Sequence, residues 1–321
     1  MFKNLLVYPL GRLAAKTSSD LALLLKNMTF QECSSSEMSS EGWVPPHKDG
    51  ELVHAVGGHF LLEYATAKKL LPTSVINQFA DARADETEEA QGFPPGRKQM
   101  KEIKEQVTDE LLPKAFTIQK STSVWIDPIH GWLVIDTASI PKAESILASL
   151  YKCIDKFPVS TLRTARSPLS AMTDWLVSDE APAGFTVDQD TELRASGDSK
   201  ATVRYLRHTL EGKDLRQHIE AGKQCTRLAL TWNDRMSFVL TENLTIKKLT
   251  PLDVLKEESA GDKNDLERAD SDFLLMAGEV NKMLPDLIAA LGGVLVDEDA
   301  APAGRKMEVR ESSEMEVEEH V

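Results

Sequence analysis

The sequence predicts an α+β protein of antiparallel sheets with helices packed on them, and three patterns carry that expectation. Residues Arg227 to Trp232 and Arg235 to Leu240 alternate polar and apolar on either side of Asn233-Asp234, as two strands joined by a tight turn would. Val124-Trp125-Ile126 and Trp132-Leu133-Val134-Ile135 flank Asp127-Pro128-Ile129-His130-Gly131, whose Pro and Gly suit a type I turn and so a second hairpin. Between and after these hairpins run helical stripes, with Met100, Ile103, Val107 and Leu111 spaced by three and four.

Taken in order, Phe2 to Leu10 reads as a strand, and Thr17 or Ser18 caps a helix through Leu21, Leu24 and Leu25. The polar run Cys33 to Gly42 reads as a loop, and Pro45 and Pro46 hold the next residues extended. Leu52 to Tyr64 is a hairpin turning at Gly57-Gly58, and Ser74 opens a helix through Val75, Ile76 and Phe79. Ala82 to Gly96, acidic and then rich in Pro and Gly, reads as a hinge or exposed arm. Beyond it the stripe from Met100 forms a helix that Pro113 ends, with Lys98, Lys101 and Lys104 on its solvent side and Glu102 and Glu105 spaced to pair with them.

Pro141 fits the first turn of a helix buried through Ala143, Ile146, Leu147, Leu150 and Ile154. Leu162 to Gly184 reads as a connection. In the hairpin around Asn233, Leu228, Leu230, Trp232, Met236, Phe238 and Leu240 point one way, so Arg227 and Arg235 point the other. Thr245 to Leu249 adds a third strand, and a helix from Phe273 to Leu291, kinked at Pro285, stops at Gly292-Gly293. The expected division is an N-terminal α+β subdomain over 1–81, an arm with helix, hairpin and helix over 82–160, a basic sheet with the last helix over 161–295, and an acidic disordered tail over 296–321.

Composition is ordinary for a globular chain, 41% hydrophobic and 27% charged over 321 residues, so a sizeable core can form. No apolar run is long enough to span a bilayer, and Asn4 to Leu10 is too short for a signal peptide, so the expected location is the cytoplasm. Cys33, Cys153 and Cys225 are widely spaced without a C-x-x-C pair and read as small buried hydrophobes. A net charge of −14 argues against nucleic acid at long range, yet it is unevenly spread. Nine acids face three bases from Val296 on, whereas ten bases face five acids between Lys200 and Thr250.

Signatures of catalysis are missing. Gly222-Lys223 resembles the end of a phosphate-binding loop, but Gln217 and Gln224 occupy the positions that need Gly and Ser or Thr. There is no G-x-G-x-x-G, no G-x-S-x-G and no H-E-x-x-H. His54 and His59 straddle Gly57-Gly58 and could approach across the hairpin, but no carboxylate or thiolate cluster lies near in sequence, so neither a metal nor a cofactor is expected. Three classes stay open: a DNA binder using rows of Lys and Arg, a protein-binding module using the acidic tail and apolar helices, and an enzyme with an unrecognised site.

Several ordered pieces decide between them. Phe2-Lys3-Asn4-Leu5, Gly42-Trp43-Val44-Pro45-Pro46, Leu111-Leu112-Pro113-Lys114-Ala115-Phe116, Trp125-Ile126-Asp127, His218-Ile219-Glu220-Ala221-Gly222-Lys223, Leu228-Ala229-Leu230, and Asp272-Phe273 with Gly278-Glu279 resemble the RdgC family of recombination-associated proteins. The resemblance covers the chain up to Gly293 and none of the tail. It implies an elongated α+β chain of several subdomains that pairs into a ring-shaped homodimer, encircles double-stranded DNA without sequence preference, lies on the nucleoid, and restrains RecA-dependent recombination, with RecA as a further partner. No enzymatic activity and no cofactor are implied. The DNA-binding set expected is Arg97, Lys98, Lys101, Lys114, Arg204, Arg207, His208, Lys223 and Arg227, with Phe116 at the dimer interface. Lys114 stands where an Arg is common in the family, which replaces a bidentate fork with a point charge. The competing assignments are plain ones: Lys114 as a helix cap, Phe116 as core, and Lys223 and Arg227 as surface partners of Glu220.

Overall fold

The computed structural model describes residues 2–15, 17–48, 50–197, 200–206, 212–252 (backbone only at 212–214) and 265–295. Eleven strands form one antiparallel sheet. In its first half lie β1 (Leu5–Pro9), β2 (Ser39–Val44), β3 (His54–Val56), β4 (His59–Lys69), β5 (Thr117–Asp127) and β6 (Trp132–Asp136). The second half holds β7 (Phe185–Ala195), β8 (Thr202–Tyr205), β9 (Lys223–Trp232), β10 (Met236–Thr241) and β11 (Ile246–Pro251). The order across the sheet is β2-β4-β5-β6-β1-β11-β10-β9-β7-β8, with β3 added to β4. The helices are α1 (Ser18–Leu25), α2 (Thr73–Gln91), α3 (Arg97–Leu111), α4 (Ile140–Cys153), α5 (Pro168–Ser178), α6 (Gly212–Glu220) and α7 (Asp265–Ala290).

All three predicted hairpins form, β3 and β4 meeting through Val56↔His59, and two of them show the reasons the sequence offers. Asn233 and Asp234 both take positive φ, as a two-residue turn matched to strand twist requires, and the register runs on through Phe238↔Leu230. At the other hairpin the Asp127 carboxylate accepts from the backbone N–H groups of Ile129 and His130, closing the turn before Gly131 at φ 76°. The capping box at Thr17 and Asp20 starts α1.

Strand alternation splits the side chains between two cores. Leu6, Val124, Ile126, Leu133 and Ile135 meet α1 and α4 on one face. Leu5, Val7, Trp125 and Val134 point to the opposite face, where α7 and α5 also cover Leu228, Leu230, Trp232, Met236, Phe238 and Leu240. Among the described residues, no helix roofs that first face over the second half of the sheet.

Several expectations change. Residues 82–91 continue α2 to Gly92 rather than forming a hinge, so the division at 81/82 falls inside a helix and the arm begins at Thr73. The high helix propensity of its Ala, Glu, Gln and Arg residues carries the helix past Ala80, its last fully buried residue, where a pattern of burial gives no signal. Residues 168–178 are helix α5, not connection: Ser167 caps it, Pro168 occupies its first turn, and Met172 and Trp175 are buried. Strand β2 begins inside the polar run, at Ser39. Arg235 lies in the turn and reaches back to Glu279 on α7 at 2.7 Å, so it sits on the covered side, away from Arg227. Only Cys225 is fully buried, and burial pushes its thiol up to about 12; Cys33 and Cys153 are half-buried. The acidic tail, Arg207 and His208 lie outside the described residues.

Leu5, fully buried at the centre of the sheet, supplies the first prediction. Leu5→Ala should cost roughly 2–5 kcal/mol in urea unfolding, whereas Leu23→Ala, on the 65% exposed side of α1, should stay within about 0.5 kcal/mol.

Candidate nucleic-acid interface

The expected DNA-binding residues fall into two groups set by topology. The first rides on a helical hairpin. Helices α2 and α3 pack antiparallel through Ala80, Ile103 and Val107, separate from both main cores, and Arg83 joins Glu110 at 2.6 Å. Arg97 and Lys98 are exposed at the tip of this arm, Lys101 one turn on, and Lys114 at its foot. The rise of a helix puts about 21 Å between Arg97 and Leu111. Lys101 pairs with Glu105 at 3.6 Å and Lys114 with Glu110 at 3.7 Å, both strongly exposed. Such pairs contribute about 0–1 kcal/mol and exchange easily for another anion.

The start of α3 is electrostatically unusual. No acid occupies its first turn, Gly96 offers no capping side chain, and Arg97 and Lys98 add positive charge where the helix dipole is already positive. A bound anion relieves that arrangement.

The second group lies toward the far edge of the sheet. Arg204 on β8, Glu192 on β7 and Arg227 on β9 stand in one cross-strand row, with Glu192 paired to Arg204 at 2.6 Å and Arg227 at 3.6 Å. Burial opposes ionisation of Glu192, but the Thr226 hydroxyl and the two guanidiniums outweigh it and hold its carboxyl below the usual range. Beside it Arg194 grips Glu242. Lys223 does not join this row. A register shift between Glu192 and Leu193 turns Cys225 into the core, and Lys223 reaches His218 of α6 at 3.3 Å, on the helix-covered side. Five strand spacings separate β5, at the arm, from β9, about 24 Å.

Phe116 follows the arm and is 84% exposed, with Leu70 and Ile118 also exposed near it; the Leu70 N–H bonds to its carbonyl at 2.7 Å. It is not core.

The polar seam that docks α7 lies outside the site residues expected from the sequence. Asp127, completely buried, accepts from Asn281 Nδ2 at 2.7 Å and lies 2.8 Å from His130 Nδ1. His59 Nδ1 approaches it at 3.4 Å without hydrogen-bond alignment. Burial alone would raise the Asp127 carboxyl; His59, the His130 amide and Asn281 overcome this and hold it far below the usual carboxylate range. His54 and His59 therefore do not meet across their hairpin: His59 turns to Asp127, and His54 bonds Asp270 at 2.8 Å. One signal was available, since Asp270 and Asn281 are eleven residues apart, three helical turns, and so share a face.

Fold and site together define an α+β protein built on one wide antiparallel sheet, with cations on a projecting helical arm and on an open sheet face. Within that class the chain belongs to the RdgC family. The family model described as "Putative exonuclease, RdgC" matches residues 1–294. Similar proteins named "Recombination-associated protein RdgC" include those of Janthinobacterium sp. (strain Marseille), 59% identical, Herminiimonas arsenicoxydans, 56%, and Cupriavidus necator, 54%. Each alignment spans 293 residues, 91% of this chain and 98% of the relative. Among the described residues no helix is long and apolar enough to cross a membrane.

The Asp127 seam yields a prediction with a definite sign. A carboxyl held below its unfolded value contributes stability above about pH 4, and that contribution fades as pH falls further. Asp127→Asn should lose roughly 3–5 kcal/mol at pH 7, and the gap to the parent should narrow between pH 4 and pH 3 in urea titrations. A gap independent of pH would place the loss in packing instead.

Proposed function

We propose that the protein is a non-catalytic binder of duplex DNA, indifferent to sequence, that closes as a homodimer around the helix and restrains RecA-dependent recombination in the cytoplasm, on the nucleoid. The observation that carries this is the arm: an element with its own small core, uncompensated cations at its tip, and a fully presented Phe116 at its foot. Family membership supports the recombination setting, because the relatives' name associates them with that process. The exposed cations of the arm, Arg97, Lys98, Lys101 and Lys114, are donors suited to phosphate, which carries no sequence information. The proposed contacts are Arg97, Lys98, Lys101 and Lys114 from the arm, with Arg204, Arg207, His208 and Arg227 from the second half; Lys223, turned to the helix-covered side, leaves the set.

Salt should weaken binding to random duplex DNA steeply. Neutralising about six phosphates gives a slope of log affinity on log salt near −5, and Lys114→Ala should reduce its size by about one unit. A flat salt response, or preference for one sequence over scrambled competitor, favours a protein-binding module. Release of nucleotides from the duplex in the presence of Mg2+ would establish the exonuclease that the family description names.

Dimerisation is tested separately. Phe116→Asp should shift the protein toward monomer in light scattering at micromolar concentration while leaving its circular dichroism unchanged, since an 84% exposed side chain contributes little to the fold. The same variant should dissociate from closed circular DNA as readily as from a short linear duplex, whereas the parent should persist on the circle through a high-salt wash and be lost from the linear duplex.

A further inference from the structure

We propose that His47, His54 and Asp270 form a site for one divalent transition-metal ion of the Zn2+ class, tying the loop before β3 to helix α7. One potential ligand atom from each of the three lies within 4.8 Å of the others. His54 Nε2 and Asp270 Oδ1 are 2.8 Å apart, and the two imidazole rings stand perpendicular with centroids at 4.6 Å. Around a tetrahedral ion with bonds near 2.0–2.1 Å, ligand atoms sit about 3.3 Å from one another. His54 and Asp270 at 2.8 Å, with all three ligand atoms within 4.8 Å of one another, lie close enough to that spacing for small side-chain rotations to suffice.

A second observation points the same way. His47 Nε2 is buried and has no hydrogen-bond partner, a condition that native proteins generally avoid. A hydrogen-bonded docking pair explains His54 and Asp270 but leaves His47 without a purpose. The site borders a cavity of ≈ 270 Å³ lined by Pro46, Leu61, Glu63 and Phe273, which gives an ion a path in and leaves room for water at a fourth position. Two imidazoles and one carboxylate favour Zn2+, Co2+, Ni2+ or Cu2+ over Mg2+ and Ca2+, which seek all-oxygen sets.

The ligands come from positions 47, 54 and 270, so an ion there links the first half of the sheet to the helix that covers the second. Because the unfolded chain lacks the arrangement, metal would stabilise the fold by mass action.

Full-length protein, stripped with chelator, is titrated with Zn2+ in competition with a chromophoric chelator, and with Co2+ read by visible absorption. One equivalent of Zn2+ should bind, Co2+ should give the intense bands of a four-coordinate ion, and Zn2+ at a hundredfold above its Kd should raise the melting temperature by roughly 5–10 °C. His47→Ala should weaken Zn2+ binding at least tenfold and abolish the thermal shift while leaving the metal-free melting temperature within about 2 °C, since His47 Nε2 bonds nothing in the metal-free fold. Asp270→Asn should weaken it too, whereas His218→Ala, on α6, should not. Unchanged affinity in His47→Ala, absence of a stoichiometric site, or equal response to Mg2+ would overturn the proposal.

Discussion

Everything in this molecule hangs on the alternation of one short strand. β1 pairs with β6 through Leu5↔Asp136 to Pro9↔Trp132 and with β11 at Leu5↔Ile246, so among the described residues it is the strand that joins the two halves of the sheet. Its period-2 geometry sends Leu5 and Val7 to the core under α7 and Leu6 to the core under α4. A slip by one residue would exchange these sets and disturb both cores together. The start of the strand is fixed against that slip: the N–H groups of Lys3 and Asn4 bond the Asp136 carboxylate at 3.0 and 2.7 Å, and the Leu249 N–H bonds the Lys3 carbonyl.

Since β11 meets β1 over so short a register, α7 is the main strap between the halves. Its apolar face packs on both, through Phe273 near Trp125 and Phe2, and through Val280 and Met283 in the same core. Along its length Asp270, Glu279, Asn281 and Asp286 reach His54, Arg235, Asp127 and Trp232. Buried carboxylates with satisfied partners specify position more than they add stability, because desolvation offsets much of the attraction. They fix the rotation and register of a helix whose apolar face alone would tolerate sliding.

How much of this was legible follows from which forces are local. The hairpins at Asp127–Gly131 and Asn233-Asp234, the cap at Thr17 and the stripe from Met100 to Leu111 were readable because each is decided within a few residues. Helix α5 was not: its apolar residues Met172, Trp175 and Leu176 sit among Ser, Thr and Pro, and only the docking of β9 above it settles its state, as when Thr173 Oγ1 accepts the Cys225 N–H. The flip of Lys223 away from Arg227 depends on a bulge that pairing with β7 creates, invisible to any count of alternation within β9. The Asp127 and Asp270 contacts span 154 and 216 residues, beyond the reach of spacing rules.

Charge counted along the chain therefore differs from charge available at the surface. Of the ten cations between Lys200 and Thr250, Arg204 and Arg227 share Glu192, which is held ionised in a nearly buried position, and Arg235 is committed to buried Glu279. Drawing either Arg204 or Arg227 toward a phosphate would expose a buried carboxylate to loss of its partner, a costly exchange. The arm is under no such restraint. Lys101 and Lys114 leave exposed, weakly held glutamates, and Arg97 and Lys98 have no carboxylate within ion-pair reach among the described residues. Under the proposed function, phosphate is thus expected to meet the arm first, beside Phe116, which lies exposed at its foot.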